Sequence, residues 1–179
     1  MPFMVVAPTI DDSALMRPGV PPGPLTASLA WFKARLAMAS MPVGGAPASP
    51  RFVVAADTVC EVDGSVLGKP TSAANARSML ERLGGRAHRV LTGIAIVDRV
   101  TGRRAIGCES ATVRMDCLAP GLLDQYVDSG DWRGKAGAYN WADRVQAGWP
   151  LRCQGDPETV MGLPSLVVRR RLEAWGWRP

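Results

Sequence analysis

The chain has 179 residues, 47% of them hydrophobic and 21% charged, with a net charge of +5 at pH 7. This is the composition of a soluble globular protein, one domain or one domain with a small subdomain. No run approaches the ~20 apolar residues of a membrane span, and the first ten residues lack the basic start of a secretory signal, so a cytoplasmic protein without a membrane partner is expected. The positive charge favours anionic ligands such as nucleotides, while the lack of a basic stretch interleaved with aromatics argues against nucleic acid. Cys60, Cys108, Cys117 and Cys153 form no Cys-x-x-Cys pair and read as free thiols in a reducing compartment. A single histidine, His88, speaks against His-rich metal sites and a Ser-His-Asp triad.

In chain order, Phe3 to Ala7 reads as a short strand. It leaves through Pro8 to Ile10 into Asp11-Asp12, two carboxylates that either hold Mg²⁺ through oxygen or form a polar loop. Residues 16 to 24 hold four prolines and two glycines and read as a loop. Leu25 to Ser40 reads as a helix capped by Thr26 or Ser28, with an apolar face of Leu29, Phe32, Leu36 and Ala39 and with Lys33 and Arg35 off that face. Met41 to Pro50 reads as a flexible surface connection.

Residues 52 to 70 are the centre of the chain. The apolar run Phe52 to Ala56 reads as a buried strand ending at Asp57-Thr58. Ligands of open α/β sheets bind beyond the carboxyl ends of strands, which is where this puts Asp57. A second short strand, the turn Asp63-Gly64 and the return Ser65 to Gly68 read as a hairpin delivering Lys69, with Pro70 as its stop. A carboxylate at the entry and an ammonium at the exit suit metal-assisted phosphate chemistry; a capping Asp and a solvated Lys fit the same residues.

Ser72 to Leu83 reads as a helix capped by Ser72, with a stripe of Ala76, Met79, Leu80 and Leu83 and a stop at Gly84-Gly85. His88 to Val97 and Ile106 to Met115 read as a long hairpin, the second strand alternating with period two. Pro120 to Asp128 reads as a short helix. The stretch 130 to 139, with three glycines, Arg133 and Lys135, is either a phosphate-cradling loop or an ordinary Gly-rich one. It matches neither Gly-x-x-x-x-Gly-Lys-Ser/Thr nor Gly-x-Gly-x-x-Gly. Residues 143 to 153 read as a strand pair or loop, Gly155-Asp156-Pro157 as a turn, and Ser165 to Trp175 as the closing helix, whose Arg169-Arg170-Arg171 reads as a solvated face.

The sequence resembles the Maf family of nucleotide pyrophosphatases. Five blocks carry the resemblance in the family's order: Ala-Ala-Asp-Thr-Val at 55–59, Leu-Gly-Lys-Pro at 67–70, Met-Leu-Glu-Arg-Leu-Gly-Gly-Arg-Ala-His-Arg-Val-Leu-Thr-Gly at 79–93, Gly-Lys-Ala-Gly-Ala-Tyr at 134–139 and Gly-Asp-Pro-Glu-Thr-Val-Met-Gly-Leu-Pro at 155–164. The resemblance implies a single α/β domain over 1–179, with a mixed sheet in two lobes and a central cleft. It implies hydrolysis of a noncanonical, modified or pyrimidine nucleoside triphosphate to the monophosphate and pyrophosphate, with Mg²⁺ or Mn²⁺. It implies Asp57 as the base that activates water, Thr58 beside it, Lys33, Lys69 and Lys135 as phosphate or substrate contacts, and Asp12 with Asp57 as metal ligands.

Two departures stand out. The family begins with a strand, a Ser-x-Ser-Pro-Arg-Arg loop and a helix, roughly 20 residues at ordinary element lengths; only two residues precede Phe3 here. Either the true start lies further upstream and supplies that loop, or the domain is shortened; a shortened domain would lose arginine contacts to phosphate, expose an apolar edge and be open to pairing as a homodimer. The family's pyrimidine branch follows Ala-Tyr with Gly-Ile-Gln, where this chain has Asn140-Trp141-Ala142. A catalytically impaired nucleotide-binding protein of the same fold is the alternative reading.

Overall fold

The structure, a computed structural model, describes residues 3–6, 19–41 and 50–178. The chain divides into two compact units. Unit 1 comprises Met1–Asp57, Thr92–Glu109 and Leu163–Pro179; unit 2 comprises Thr58–Leu91 and Ser110–Gly162. The fold is mixed α/β, as expected. Among the described residues its sheet has five strands: β1 (Phe52–Val62), β2 (Ser65–Leu67), β3 (Arg86–Asp98), β4 (Arg104–Met115) and β5 (Leu151–Gln154), in the order β2-β1-β3-β4-β5. The described helices are α1 (Pro22–Ala39), α2 (Ala73–Leu83), α3 (Pro120–Ser129), α4 (Trp141–Gln146), α5 (Pro157–Met161) and α6 (Ser165–Ala174), with a 3-10 turn at Ala136–Ala138.

In unit 1, α1 starts at Pro22, inside the stretch expected to be a loop. Proline is well suited to a first helical turn, where its missing N–H has no partner to lose. Thr26 is therefore not the cap. Its hydroxyl donates back within the helix to the carbonyls of Pro22 and Gly23, both at 3.0 Å. The expected apolar face is also rotated. Phe32 and Leu36 are exposed, whereas Leu25, Leu29, Ala30, Ala34 and Ala37 are buried.

The reason is close approach to the sheet. A Cβ added at Gly93 of β3 would lie 2.1 Å from the Thr26 carbonyl oxygen. Only small residues fit at that separation, so Ala30, Ala34 and Ala37 pack on Val53, Ala95 and Val97. A second unit 1 cluster joins Ile94 and Ile96 to Val168 and Leu172 of α6. Phe3 to Val6 is not a strand; Phe3 is 81% exposed, and Val6 alone of the four packs on the core. Ala7, Asp11, Asp12 and the connection at 42–49 lie outside the described residues.

Unit 2 follows the expectations more closely. Asp63 and Gly64, at φ 50° and 71°, make the turn between β1 and β2, and the pairs Cys60–Leu67 and Val62–Ser65 set its antiparallel register. Ser72 caps α2 by accepting from the Asn75 N–H, and Ala76, Leu80 and Leu83 face the core. Tyr126, Trp132, Tyr139 and Trp149 fill much of that core. α4, at the head of a stretch read as strand or loop, is capped by Asn140, whose side chain accepts from the Asp143 N–H. α5, also unforeseen, is capped by Asp156. All four cysteines are free.

Candidate active site

β1 runs unbroken from Phe52 to Val62, so Asp57 sits mid-strand and not beyond a carboxyl end. Strand alternation decides where it points. Asp57 shares a face with Val53 and Ala55, the residues that pack near α1. Lys33 lies three residues from Ala30 and four from Ala37, beside the buried stripe and not off it. The two predicted residues therefore meet: the Lys33 ammonium donates to Asp57 Oδ1. Asp57 is 7% exposed, and the Lys33 side chain is half-buried. This is a charged pair inside a unit whose neighbouring side chains are alanine and valine. Lys33 also borders a larger apolar groove of unit 1, about 620 Å³, walled by Phe3 to Val6, Phe52 to Ala56 and Leu163.

Thr58 and Cys60 lie on the opposite face of β1 and belong to unit 2. They line a cavity of about 240 Å³ together with Lys135, Tyr139, Asn140 and Trp141, and residues 160 to 162 complete it. Two of the predicted residues, Thr58 and Lys135, thus share one cavity. Gly162, at φ 98°, brings its backbone close: a Cβ there would meet the Thr58 hydroxyl at 3.2 Å. That approach and that dihedral both call for glycine.

The loop carrying Lys135 is pinned at three successive residues. The Gly137 N–H donates to the Gly68 carbonyl at 3.0 Å, which ties the loop to the residue before Lys69. The Tyr126 hydroxyl donates to the Ala138 carbonyl at 2.9 Å. The Tyr139 hydroxyl lies 2.7 Å from His88 Nε2. Lys69 itself is exposed.

Burial sets the protonation states here. It lowers His88 to about 4, so the ring is neutral. Its Nδ1 is buried without a partner. Burial, with Cys60 and Cys153 nearby, raises the Tyr139 phenol well above its ordinary value. Burial and then Glu61 raise Cys60 to about 12. Cys60 therefore lines the cavity as a thiol, not as a nucleophilic thiolate.

Asp12 lies outside the described residues, and among those described no three His, Cys, Asp or Glu side chains cluster to hold a metal. None of the described helices is long and apolar enough to cross a membrane. His88, Asn140 and Trp141 were not singled out as site residues from sequence. Asn140 with Asp143 three residues on is a helix-start signal that could have revealed the α4 cap.

A family model described as Maf-like protein matches residues 1–175. The chain belongs to the Maf-like protein family. Among its relatives, the dTTP/UTP pyrophosphatase of Burkholderia thailandensis is 37% identical to this Maf-like chain over 176 residues, 96% of this chain and 82% of that protein. The dTTP/UTP pyrophosphatase of Symbiobacterium thermophilum is 38% identical over 177 residues, 99% and 85%. The nucleoside triphosphate pyrophosphatase of Mycobacterium sp. (strain JLS) is 35% identical over 178 residues, 96% and 83%.

Proposed function

We propose that this Maf-like chain is a nucleoside triphosphate pyrophosphatase. It is a hydrolase acting on the acid anhydride of a nucleoside triphosphate, releasing the monophosphate and pyrophosphate. The observation that carries the reading is the Lys33–Asp57 pair. Two residues 24 apart in sequence, an ammonium and a buried carboxylate, converge inside unit 1. The names of the relatives point to the same reaction class.

Asp57 takes the proton of the attacking water. A carboxylate held in a buried, fixed position is pre-oriented for that transfer. Lys33 orients Asp57 and supplies positive charge. Lys69 and Lys135 neutralise phosphate oxygens, since phosphoryl transfer draws its rate mainly from positioning and charge stabilisation. Thr58 contacts the substrate beside the base.

A divalent cation, Mg²⁺ or Mn²⁺, belongs to this proposal. Mg²⁺ is typically held by one or two carboxylates together with substrate phosphates, and Asp57 is the described residue that would supply a carboxylate, with Asp12 as its expected companion. When bound, the ion neutralises triphosphate charge. The cytoplasm is the proposed compartment, and assembly as a homodimer is a further proposal.

The test is pyrophosphate release in Mg²⁺ across UTP, dTTP, CTP and modified purine triphosphates. Asp57→Asn is expected to lower kcat by about 10²–10⁴ while nucleotide binding survives. Normal turnover by that variant removes Asp57 as the base. Nucleotide binding without turnover in the unsubstituted, folded chain replaces the reading with a catalytically impaired nucleotide-binding protein.

A further inference from the structure

We propose that two copies of this chain exchange residues 3–6, each laying its segment along the open edge of β1 in the other. The inference rests on the homodimer reading and supplies its interface; it is independent of the pyrophosphatase reading. β1 has two neighbours in the sheet, β2 and β3. β2 pairs with Cys60, Glu61 and Val62 alone. Among the described residues, positions 52–56 thus have a strand on one side and none on the other. An open edge presents unpaired N–H and C=O groups and is a template for another strand.

The surroundings of that edge select what can lie on it. Val53 and Ala55 pack toward Ala30, Ala34 and Ala37 of α1. Phe52, on the opposite face, packs toward Val168 and Leu172 of α6. The groove beside residues 52–56 is walled by those same two helices, through Ala37 on one side and Val168 and Leu172 on the other. A strand added there must be apolar on both faces. An amphipathic strand would bury its polar face. Residues 3–6, Phe-Met-Val-Val, are apolar at all four positions. They line the same groove. They form no strand in it, and Phe3, Met4 and Val5 are 81%, 59% and 78% exposed.

One chain therefore carries, among its described residues, both an edge without a strand and an apolar segment without a ladder. A second copy meets both needs, because it carries the same two features. Each segment pairs with the partner's edge, and two-fold symmetry returns the contact, so the assembly closes at two. Main-chain hydrogen bonds hold the added strand, and its side chains fill the groove on both faces. Val54 and Leu163, exposed in the same groove, are covered by the same contact. A contiguous exposed apolar patch of this kind marks an interaction surface.

The test is light scattering of the chain across micromolar concentrations, with hydrogen exchange on the same samples. At the upper end a mass twice that of the chain is expected, with the amides of residues 3–6 exchanging more slowly than in the dilute sample and with Tm rising with concentration. Val5→Pro removes a ladder donor at an exposed position. It is expected to halve the mass and to abolish the concentration dependence of Tm, leaving the dilute Tm unchanged. Val54→Lys puts a charge on the edge itself and is expected to halve the mass as well. A chain that is monomeric at every concentration overturns the exchange and the homodimer reading together, whatever its activity. A dimer that survives both variants, with residues 3–6 exchanging freely, overturns the exchange and leaves the homodimer reading. Species larger than two also overturn it, because reciprocal exchange closes.

Discussion

The two units pack their sheet residues by opposite means. Around α1, unit 1 uses Ala30, Ala34, Ala37 and Ala95 with Val53 and Val97, and gives up the side chain at Gly93 altogether. Unit 2 uses Tyr126, Trp132, Tyr139 and Trp149. Small residues bring backbones close. That closeness lets the long Lys33 side chain, rooted beside the stripe, reach a carboxylate on the facing strand. Aromatic residues hold elements farther apart, but their polar ends reach across. Tyr126 and Tyr139 each use a hydroxyl to fix the loop that carries Lys135. Unit 1 therefore positions its charged pair by proximity, and unit 2 positions its loop by hydrogen-bonded handles.

The largest effect is expected from breaking the close approach in unit 1. Gly93→Ala puts a methyl group into the Thr26 carbonyl, with backbone on both sides and no flexible side chain to yield. A loss of about 3 kcal/mol is expected, at the upper end of the cost of overpacking. Thermal unfolding measures it. A Tm within one degree of the unsubstituted chain would mean that α1 moves off the sheet freely.

A smaller effect is expected from cutting a handle in unit 2. Tyr139→Phe keeps the ring in the core and removes the partner of His88 Nε2. Leaving a buried polar atom unsatisfied costs about 1–3 kcal/mol. Because the loop carries Lys135, KM for the nucleotide is also expected to rise, while Gly93→Ala acts on the folded fraction.

Acid provides a comparison without mutation. His88 titrates near 4 in the folded chain because of burial, against about 6.5 unfolded. Between those values the unfolded chain binds the extra proton, so stability falls as the pH drops from about 6.5 to about 4 and this contribution is flat outside that window. The contribution is about 3 kcal/mol at most. His88→Gln is expected to flatten that part of the curve of urea midpoint against pH. An unchanged slope would assign the acid sensitivity to other groups.

The smallest effect is expected at the face that sequence periodicity put inside. Leu36→Gln on α1 removes an exposed side chain and is expected to change stability by no more than about 0.5 kcal/mol. A loss comparable to that of Gly93→Ala would restore Leu36 to a packed face.

Local chemistry by itself determined the elements that local chemistry controls. The β1–β2 turn at Asp63-Gly64, the Ser72 cap, the helix end at Gly84 and the long strands of β3 and β4 follow from dihedral preferences, capping and periodicity, each acting over a few residues. The family was also legible, because its blocks are short and ordered. Periodicity misjudged α1, since it ranks residues by hydrophobicity and says nothing of the distance to the neighbouring layer. At the approach set by Gly93, alanine is buried and Phe32 and Leu36 are left outside. It misjudged Asp57 as a strand end for a related reason: a polar residue stops an apolar run in the sequence without stopping the backbone ladder. Only the tertiary structure decided that Asp57 faces Lys33 and that Thr58 and Lys135 share a cavity. Each of those facts depends on which faces of separated segments are brought together, and long-range packing sets that.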